Sequence, residues 1–522
     1  MTGTAPAEGA DPPDAAEPQD PSPPRGAEGA TARGGWFALL GSAVNAVSGF
    51  ALVALVSHGA GAAGTGALFT GIAVFTVLGN ACKLGADTAL VRFVARDLAL
   101  TGGGAVRGLL RTALLPSCAL ATATAVVLAL APGLAPRLMP DLAATDARHL
   151  MVLFAVFLPV ATAGLVVLAA SRGHGSVLAF VTVEQIGKPL ARTALTWAAL
   201  VWAAPGAVTL GAAWLAPTAL GTAAAWLFLR GQRRARPAVP QLPPPKAEFW
   251  AFARPRALAS LFDIAAVWIG VPLLALSGSG TEAGVYTAVT RLVTAATLWQ
   301  LAVRLAVAPR IGSLLATGEH RAAQRLHGRS TTWIALFSWP VLALLALFPH
   351  TALALFGAGF ASGAPALTVL ALCSLVNVGV GNAQTLLLMA GRSRDNLAVA
   401  AAAFAVQVGL GLWWAPRWGA LGAAAAWGAA VVTDNLAAAA LARWRLGFRT
   451  VDRGYRAAVA AAGWTVAVAG VVRCLGGDTP GGAVPAIPLS ITAFAGAMWR
   501  YREALGAGTL LGALRRGRAP DS

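Results

Sequence analysis

The chain has 522 residues, of which 57% are hydrophobic and 11% are charged, whereas a soluble globular protein carries about 25% charged residues. This composition excludes an ordinary soluble enzyme. The formal net charge of +18 does not indicate nucleic acid as a partner, because basic residues between long apolar runs are typical of membrane-protein loops.

The first 34 residues differ in character from the rest of the chain. Residues 1–34 hold two arginines against six acidic residues and no aromatic side chain. Such a stretch cannot bury enough apolar surface to offset the entropy lost on ordering it. We therefore predict a disordered cytoplasmic tail over 1–34.

About fourteen apolar runs follow, and each is close to the roughly 20 residues that a helix needs to cross a bilayer. The runs are continuous and rich in Ala, Leu and Gly, which favours helices. The predicted fold class is an all-α integral membrane protein. The runs lie at 36–57, 65–83, 109–131, 149–170, 177–203, 207–229, 257–276, 284–308, 331–349, 364–390, 397–415, 419–442, 455–475 and 483–501.

Basic residues alternate between the connections of these predicted spans. Connections after odd-numbered spans hold only Arg137, Arg148, Arg417 and Arg473, and the other loop arginines follow even-numbered spans. Because basic loops stay on the cytoplasmic side, we predict a multi-pass protein of the cytoplasmic membrane with both termini in the cytoplasm. Twelve spans would satisfy the same rule.

The chain is predicted to consist of two halves joined by a proline-rich cytoplasmic linker at 237–247. Six-helix bundles are predicted over 35–236 and 248–450, followed by helices thirteen and fourteen and a basic cytoplasmic tail over 451–522. Phrases beginning at Gly66 and Gly284 are similar and stand 218 residues apart. An offset of six helices preserves orientation, so the halves form a parallel repeat.

Several short phrases, in this order along the helices, resemble the multidrug/oligosaccharidyl-lipid/polysaccharide exporter superfamily, abbreviated MOP, and within it the polysaccharide flippases. The phrases are Leu84-Gly-Ala-Asp87-Thr-Ala-Leu-Val-Arg92, Gly284-Val-Tyr286 through Arg291-Leu292, Ala308-Pro309-Arg310-Ile, Met389-Ala-Gly391-Arg392-Ser and Trp418-Gly-Ala-Leu-Gly422.

The resemblance implies a transporter and not an enzyme, with no cofactor. It implies that a polyprenyl-(pyro)phosphate-linked oligosaccharide is flipped across the cytoplasmic membrane by alternating access, for polysaccharide or cell-envelope synthesis. Membrane lipids, a polysaccharide polymerase and glycosyltransferases are the partners it suggests. The sister family of lipid II flippases carries basic residues in its first helix, whereas this first span offers polar residues such as Asn45, which argues for another glycan.

Arg291 is the foremost candidate for contact with a cargo phosphate. A charge at the bilayer centre costs about 2.5–3.5 kcal/mol on insertion scales, so an intramembrane arginine indicates function, and its guanidinium can bind pyrophosphate bidentately. Tyr286 to Leu292 is also similar to a Tyr-x-x-x-x-Arg-Leu stretch of lipid II flippases, which implies cargo contacts for Tyr286 and Arg291. The alternative is a purely structural role, in which Arg291 pairs with Asp263 or snorkels towards the membrane surface.

Three further charged residues share one face of the fifth span. Glu184, Lys188 and Arg192 are four residues apart, and this spacing aligns them on a helix. Because such a ladder is costly against lipid, the face should line the central cavity or a seam between helices. Lys188 and Arg192 are candidates for cargo binding, and Glu184 is a candidate for ion coupling. The alternative is that the three side chains pair only with one another.

The remaining candidates stand alone in their segments. Asp263 and Asp434 are the single acidic residues of spans seven and twelve, so they are candidates for ion coupling. Arg92, near the inner end of span two, is a candidate for phosphate entering from the cytoplasm, against the more common role of anchoring to anionic lipid. Asn45 is a polar candidate in span one.

Two other function classes are alternatives to a flippase. A cation-coupled multidrug exporter should have acidic cavity residues and twelve spans, and the basic candidates disfavour it. A membrane glycosyltransferase or polymerase would need acidic residues on an outer loop, where only Asp141 and Asp146 are available. The six histidines are dispersed and predict no metal site.

Overall fold

The computed structural model describes residues 25–131, 133–202, 206–237, 239–448 and 453–503, with side chains from Phe37 onward except at positions 305, 309, 393 and 480. These residues form helices and connections, with no strand among them. The predicted all-α class is confirmed. Most of the tail predicted over 1–34 lies outside the described residues.

The described residues of the first half form eight α-helices and one π-helical stretch. They are α1 (Arg25–Cys82), α2 (Ala86–Thr101), α3 (Val106–Leu130), α4 (Leu134–Leu138), α5 (Ala144–Gly173), α6 (Leu178–Phe180), a π-helix (Val181–Gly187), α7 (Lys188–Trp202) and α8 (Ala207–Arg234).

The described residues of the second half and of the C-terminal pair form eleven α-helices and two short 3-10 helices. They are α9 (Lys246–Trp268), α10 (Gly270–Leu276), α11 (Gly280–Ala296), α12 (Leu298–Ala316), α13 (His320–Leu347), α14 (Pro349–Leu353), the 3-10 helices Ala354–Phe356 and Ala358–Gly363, α15 (Ala364–Val380), α16 (Ala383–Met389), α17 (Ser393–Leu446), α18 (Arg453–Gly476) and α19 (Pro480–Arg500).

Within the described ranges, nine helices are long and apolar enough to cross a membrane, and the pairs α9–α10 and α11–α12 qualify as bent spans. Two of the nine are double-length helices, α1 and α17, with sharp kinks at Gly61 and Gly419. Both glycines have positive φ, at 63° and 53°, which glycine adopts at little cost. Each kink separates two runs that the sequence predicted as separate spans.

Three predicted boundaries need correction. Helix α1 begins at Arg25, so the structure continues the first predicted span into residues 25–34, which the sequence assigned to the tail. The predicted span 177–203 is not one continuous α-helix, because it contains the π-helix. Pro189, just after the π-helix, has no N–H to donate to the carbonyl four residues earlier. The run 364–390 is divided at Gly381, where φ is 73°.

The halves meet at a close crossing of α1 and α11. A Cβ atom on Gly66 would lie 1.8 Å from the Gly280 carbonyl oxygen, and one on Gly284 would lie 2.0 Å from the Ala62 carbonyl oxygen. The 218-residue offset of the repeat makes Gly280 the equivalent of Ala62 and Gly284 the equivalent of Gly66. The two contacts are therefore related to each other by the repeat. We call these four residues the outer seal, because they follow the turns on the side predicted to be non-cytoplasmic.

Helices α18 and α19 pack together, and α18 packs on α13. Their outer turn is joined to α14 by Asp478, which accepts hydrogen bonds from the backbone N–H groups of His350 at 2.9 Å and Thr351 at 3.2 Å. The Thr351 hydroxyl donates at 3.0 Å, and Arg473 forms an ion pair at 3.4 Å. These four residues are called the outer latch.

Candidate functional site

A cavity of about 480 Å³ lies between the two halves. Two stretches of α1, 42–52 and 69–80, form one wall, and residues of α5, the π-helix, α7, α8, α9, α11 and α12 complete it. Both stretches lie on the inner side of the turn at Gly61. The outer seal therefore closes the cavity from outside, and the lining extends inward to Ser42 and Asn80.

Arg291 of α11 reaches this cavity from the second half. Its guanidinium carbon lies 5.0 Å from the ring centre of Trp268 and 5.9 Å from that of Phe69. Its Nε is buried without a hydrogen-bond partner, and no described carboxylate pairs with it, so the ion pair with Asp263 is not formed. The charge is therefore held by aromatic faces and remains available to an anion.

Lys188 and Glu184 face the cavity from the first half. The Lys188 Nζ lies 2.7 Å from Glu184 Oε2, and the lysine is 7% exposed. Glu184 lies in the π-helix and Lys188 directly follows it. The pair neutralises itself, so Glu184 is not a free acid in this cavity.

Arg192 lies one turn further along α7. Its Nε donates to the Trp214 carbonyl at 3.1 Å, its Nη2 donates to the Thr218 hydroxyl at 3.3 Å, and its guanidinium stacks 3.8 Å from the Trp214 ring centre. These partners orient the guanidinium without neutralising it. Among the described residues, neither Arg192 nor Arg291 has an ion-pair partner, and the two are contributed by different halves.

The first span adds polarity to the cavity but no charge. Asn45 lines it together with Ser42 and Ser48. The charged residues in the described lining are Glu184, Lys188, Arg192 and Arg291, with a net charge of +2. Because apolar walls strengthen electrostatic attraction, such a cavity favours an anionic ligand over a cationic one.

No family model and no curated protein matches the sequence. Solved structures do match: the lipid II flippase MurJ in an inward closed conformation aligns over 89% of this chain and 98% of its own, with a TM-score of 0.70 and 11% identity. An inward-facing multidrug resistance MATE transporter of the MOP superfamily covers 77% of this chain and 95% of its own, with a TM-score of 0.61 and 16% identity.

A MOP superfamily transporter from Pyrococcus furiosus, described as having a binding pocket of reversed polarity, covers 80% of this chain and 95% of its own, with a TM-score of 0.56 and 16% identity. The chain shares the fold of these transporters. At identities this low, the structural similarity shows a shared architecture and does not show the cargo. The chemistry of the cavity is therefore the evidence on the cargo.

Two residues predicted to contact the cargo lie outside the cavity. Tyr286 is 1% exposed, packs against Gly270, and has a hydroxyl without a partner. Arg92 lies on α2 with its guanidinium 4.6 Å from the Phe252 ring centre. The structure therefore places neither residue where it could touch a ligand in the cavity.

The two predicted ion-coupling acids form a separate region in the second half. Asp434 accepts a hydrogen bond from Gln384 and interacts electrostatically with Asp263. Neither carboxylate lines the cavity. Their role in ion coupling stays a prediction, as does that of Glu184.

Sequence reasoning missed the aromatic part of the site. Trp214, Trp268 and Phe69 provide the rings beneath the two arginines. Aromatic residues in apolar spans usually pack in cores or face lipid, so hydropathy does not distinguish them. Trp214 belongs to a Gly-Ala-Ala-Trp phrase and Phe69 to the phrase that begins at Gly66, and each phrase has a similar counterpart in the second half.

Proposed function

We propose that this protein is a membrane transporter that flips a polyprenyl-(pyro)phosphate-linked oligosaccharide outward across the cytoplasmic membrane. The observation that carries the proposal is Arg291, a cation without a counter-ion in a cavity of net charge +2. A guanidinium binds phosphate through charge-assisted hydrogen bonds. Proteins with this fold include a lipid II flippase and multidrug transporters, and the cavity charge favours the anionic cargo.

The cargo would enter from the inner side while the outer seal is closed. Its phosphate groups would be held between Arg291 and Arg192, and its glycan would occupy the polar end of the cavity near Asn45. The polyprenyl chain would stay in lipid between helices, where its apolar surface costs nothing. Separation of α1 from α11 would then expose the cavity on the outer side, as alternating access requires.

The absence of a basic residue from the α1 wall supports a cargo other than lipid II, because the resemblance to lipid II flippases implies basic residues there. The cation-coupled drug exporter has less support. A cationic drug would meet Arg192 and Arg291, and the single acid of the lining is already paired with Lys188. A polymerase or glycosyltransferase partner stays a prediction.

The proposal is tested by flipping of a fluorescent short-chain polyprenyl-pyrophosphate sugar in proteoliposomes. Removing a charge-assisted contact costs about 1.5–3 kcal/mol, so Arg291→Ala should reduce flipping about tenfold to hundredfold. Arg291→Lys should recover part of the loss, since it keeps the charge but not the bidentate geometry.

Arg304→Ala is the matched control, because Arg304 is an exposed arginine of the neighbouring α12 and is not in the cavity lining. Its flipping rate should equal that of wild type. Export of a cationic dye by wild type, with no flipping of any lipid-linked sugar, would overturn the flippase and favour the drug exporter.

A further inference from the structure

Two ion pairs and one unpaired arginine extend from the cavity towards the inner end of the first half. Glu184 is paired with Lys188 at the cavity. Asp87, in the first turn of α2, accepts an ion pair from Lys83 at 2.9 Å. Arg172, in the last turn of α5, interacts electrostatically with both carboxylates. It forms an ion pair with neither, and its Nε is buried without a hydrogen-bond partner among the described residues.

Arg172 lies beside the helical turn that precedes Glu184. Its guanidinium carbon is 4.6 Å from the ring centre of Phe180, the residue just before the π-helix. Phe180 and Glu184 are four residues apart, so their side chains project from the same face. Because helical side chains lean towards the N-terminus, a change of rotamer turns the Glu184 carboxylate towards Arg172. Glu184 therefore has two cations within about one turn, Lys188 and Arg172.

Lys188 is held in place by contacts other than its ion pair. A Cβ on Gly221 of α8 would lie 2.9 Å from Cδ and 3.0 Å from Cγ of Lys188, so the lysine stem lies directly against the α8 backbone. The lysine is 7% exposed and lines the cavity, as does Arg192 one turn further along. If Glu184 turned away, the ammonium group would stay at the cavity wall beside Arg192.

The free-energy cost of separating the Glu184–Lys188 pair depends on Arg172. Removing one partner of a buried ion pair is strongly destabilising, because it leaves a buried charge without compensation. An anion that bound Lys188 would leave Glu184 in this position. Arg172 removes the penalty, since it offers Glu184 a second cation that no described carboxylate has paired.

We propose that Arg172 positions the site for its cargo by an exchange of ion-pair partners, in which an anion at Lys188 displaces Glu184 and Glu184 passes to Arg172. The inference rests on the proposed function, because the anion is a phosphate group of the cargo. Lys188 then joins Arg192 and Arg291 as a third unpaired cation in the cavity. Arg172 itself acts through Glu184 and does not touch the cargo.

The exchange predicts a preference for a pyrophosphate over a monophosphate linkage. A pyrophosphate linkage carries one more ionised phosphate group, and the third cation is the partner for that group. A monophosphate linkage is satisfied by Arg192 and Arg291, so it gains nothing from the release of Lys188. The ratio of the two affinities therefore reports the exchange, whereas general damage to the site would lower both.

The ratio is measured by thermophoresis of the full chain in detergent with two short-chain polyprenyl lipids that carry the same sugar, one through pyrophosphate and one through monophosphate. Unmodified protein should prefer the pyrophosphate lipid about tenfold. Arg172→Gln should lower its affinity for that lipid about tenfold and leave its affinity for the monophosphate lipid unchanged. Arg172→Lys should restore the preference, because it keeps a charge for Glu184.

The matched control is Arg148→Gln, which changes an exposed arginine at the opposite end of α5 and should leave both affinities unchanged. Glu184→Gln provides a second arm. Lys188 then needs no exchange, so the preference should persist, and the addition of Arg172→Gln should not alter it. Lys188→Gln should lose the preference although Arg172 is intact, and it tests the same contact if Arg172→Gln does not fold.

Three results would overturn the exchange and leave the proposed function in place. They are equal affinities of the unmodified protein for the two lipids, an equal fall of both affinities in Arg172→Gln, and the same loss from Arg172→Gln with and without Glu184. Unmodified protein that binds neither lipid would overturn the proposed function, and the exchange with it.

Discussion

At the scale of single residues, the cost of holding Arg291 explains why it indicates a ligand. A guanidinium inside the membrane is expensive unless a counter-charge or water is available. Its two aromatic neighbours return about 0.5–2 kcal/mol each at most, and no described acid neutralises it. An anionic ligand would supply the missing counter-charge. Ligand binding would therefore also remove the remaining free-energy cost of the buried guanidinium.

Trp268 should therefore position Arg291 for the ligand. Replacing the ring in Trp268→Leu removes a cation–π contact worth about 1 kcal/mol, so affinity for a pyrophosphate-headgroup lipid should fall about fivefold. Trp268→Phe should lose less, because it keeps an aromatic face. Thermophoresis of the detergent-solubilised protein with that lipid measures the affinity.

The matched control is Trp464→Leu, which changes a tryptophan that is 60% exposed on α18, away from the cavity. Its affinity should equal that of wild type. An unchanged affinity in Trp268→Leu would show that the ring does not orient Arg291.

Helical geometry explains which predicted residues meet in the cavity. Glu184, Lys188, Arg192, Arg291 and Asn45 all line it, and the spacing of the first three placed them on one helix face. Tyr286 stands five residues before Arg291, which rotates it by about 140° around the same helix. The spacing of the Tyr-x-x-x-x-Arg-Leu stretch therefore turns the two side chains to different faces of α11, and they do not share one cavity.

At the scale of elements, the α1–α11 crossing depends on glycine. Gly66→Ala would force a Cβ into the Gly280 carbonyl, and overpacking of this kind costs about 1–3 kcal/mol. The melting temperature in detergent should therefore fall. Because the contact belongs to the outward-closed state, a Thr294→Cys reporter in the cavity wall should also react faster with a membrane-impermeant maleimide added outside.

Gly409→Ala serves as the control, since a Cβ at that position of α17 would meet no atom within 4 Å. It should be neutral or slightly stabilising, as alanine favours helix over glycine. A Gly66→Ala variant with unchanged melting and labelling would show that the outer seal is not a tight contact in the membrane protein.

The outer latch predicts a dependence of stability on pH. Burial would raise the pKa of Asp478, but hydrogen bonds from His350 and Thr351 outweigh it and hold that pKa below its usual range. A lowered pKa in the folded state stabilises the protein fully above the unfolded value of about 3.9. That stabilisation is lost as the pH falls through the folded value.

Melting temperatures measured from about pH 6 to about pH 3 should therefore fall less steeply for Asp478→Asn than for wild type. The control is Asp146→Asn, an exposed carboxylate that accepts no hydrogen bond from any described side chain, and its curve should parallel that of wild type. Parallel curves for all three proteins would contradict a stabilising latch.

At the scale of the whole molecule, alternating access requires the two halves to separate on the outer side. The Thr281 hydroxyl of the second half donates to Asp141 Oδ2 of the first at 2.7 Å, beside the outer seal. A crosslink between Asp141→Cys and Thr281→Cys should therefore abolish flipping, and reduction should restore it. Both single variants should remain active, and full transport by the crosslinked protein would contradict rocking of the halves.

The sequence by itself determined the membrane class and the helical runs, and it predicted the division into two repeated halves and the cationic character of the site. These properties follow from local interactions, because some 20 consecutive apolar residues suffice to place a helix in a bilayer. Tertiary structure alone decided that Arg291 rests on Trp268 and Phe69, that Tyr286 is buried, and that Phe249 of α9 packs in a core of the first half. Each of the last three depends on contacts between helices, and hydropathy carries no information about which face of a helix meets which neighbour.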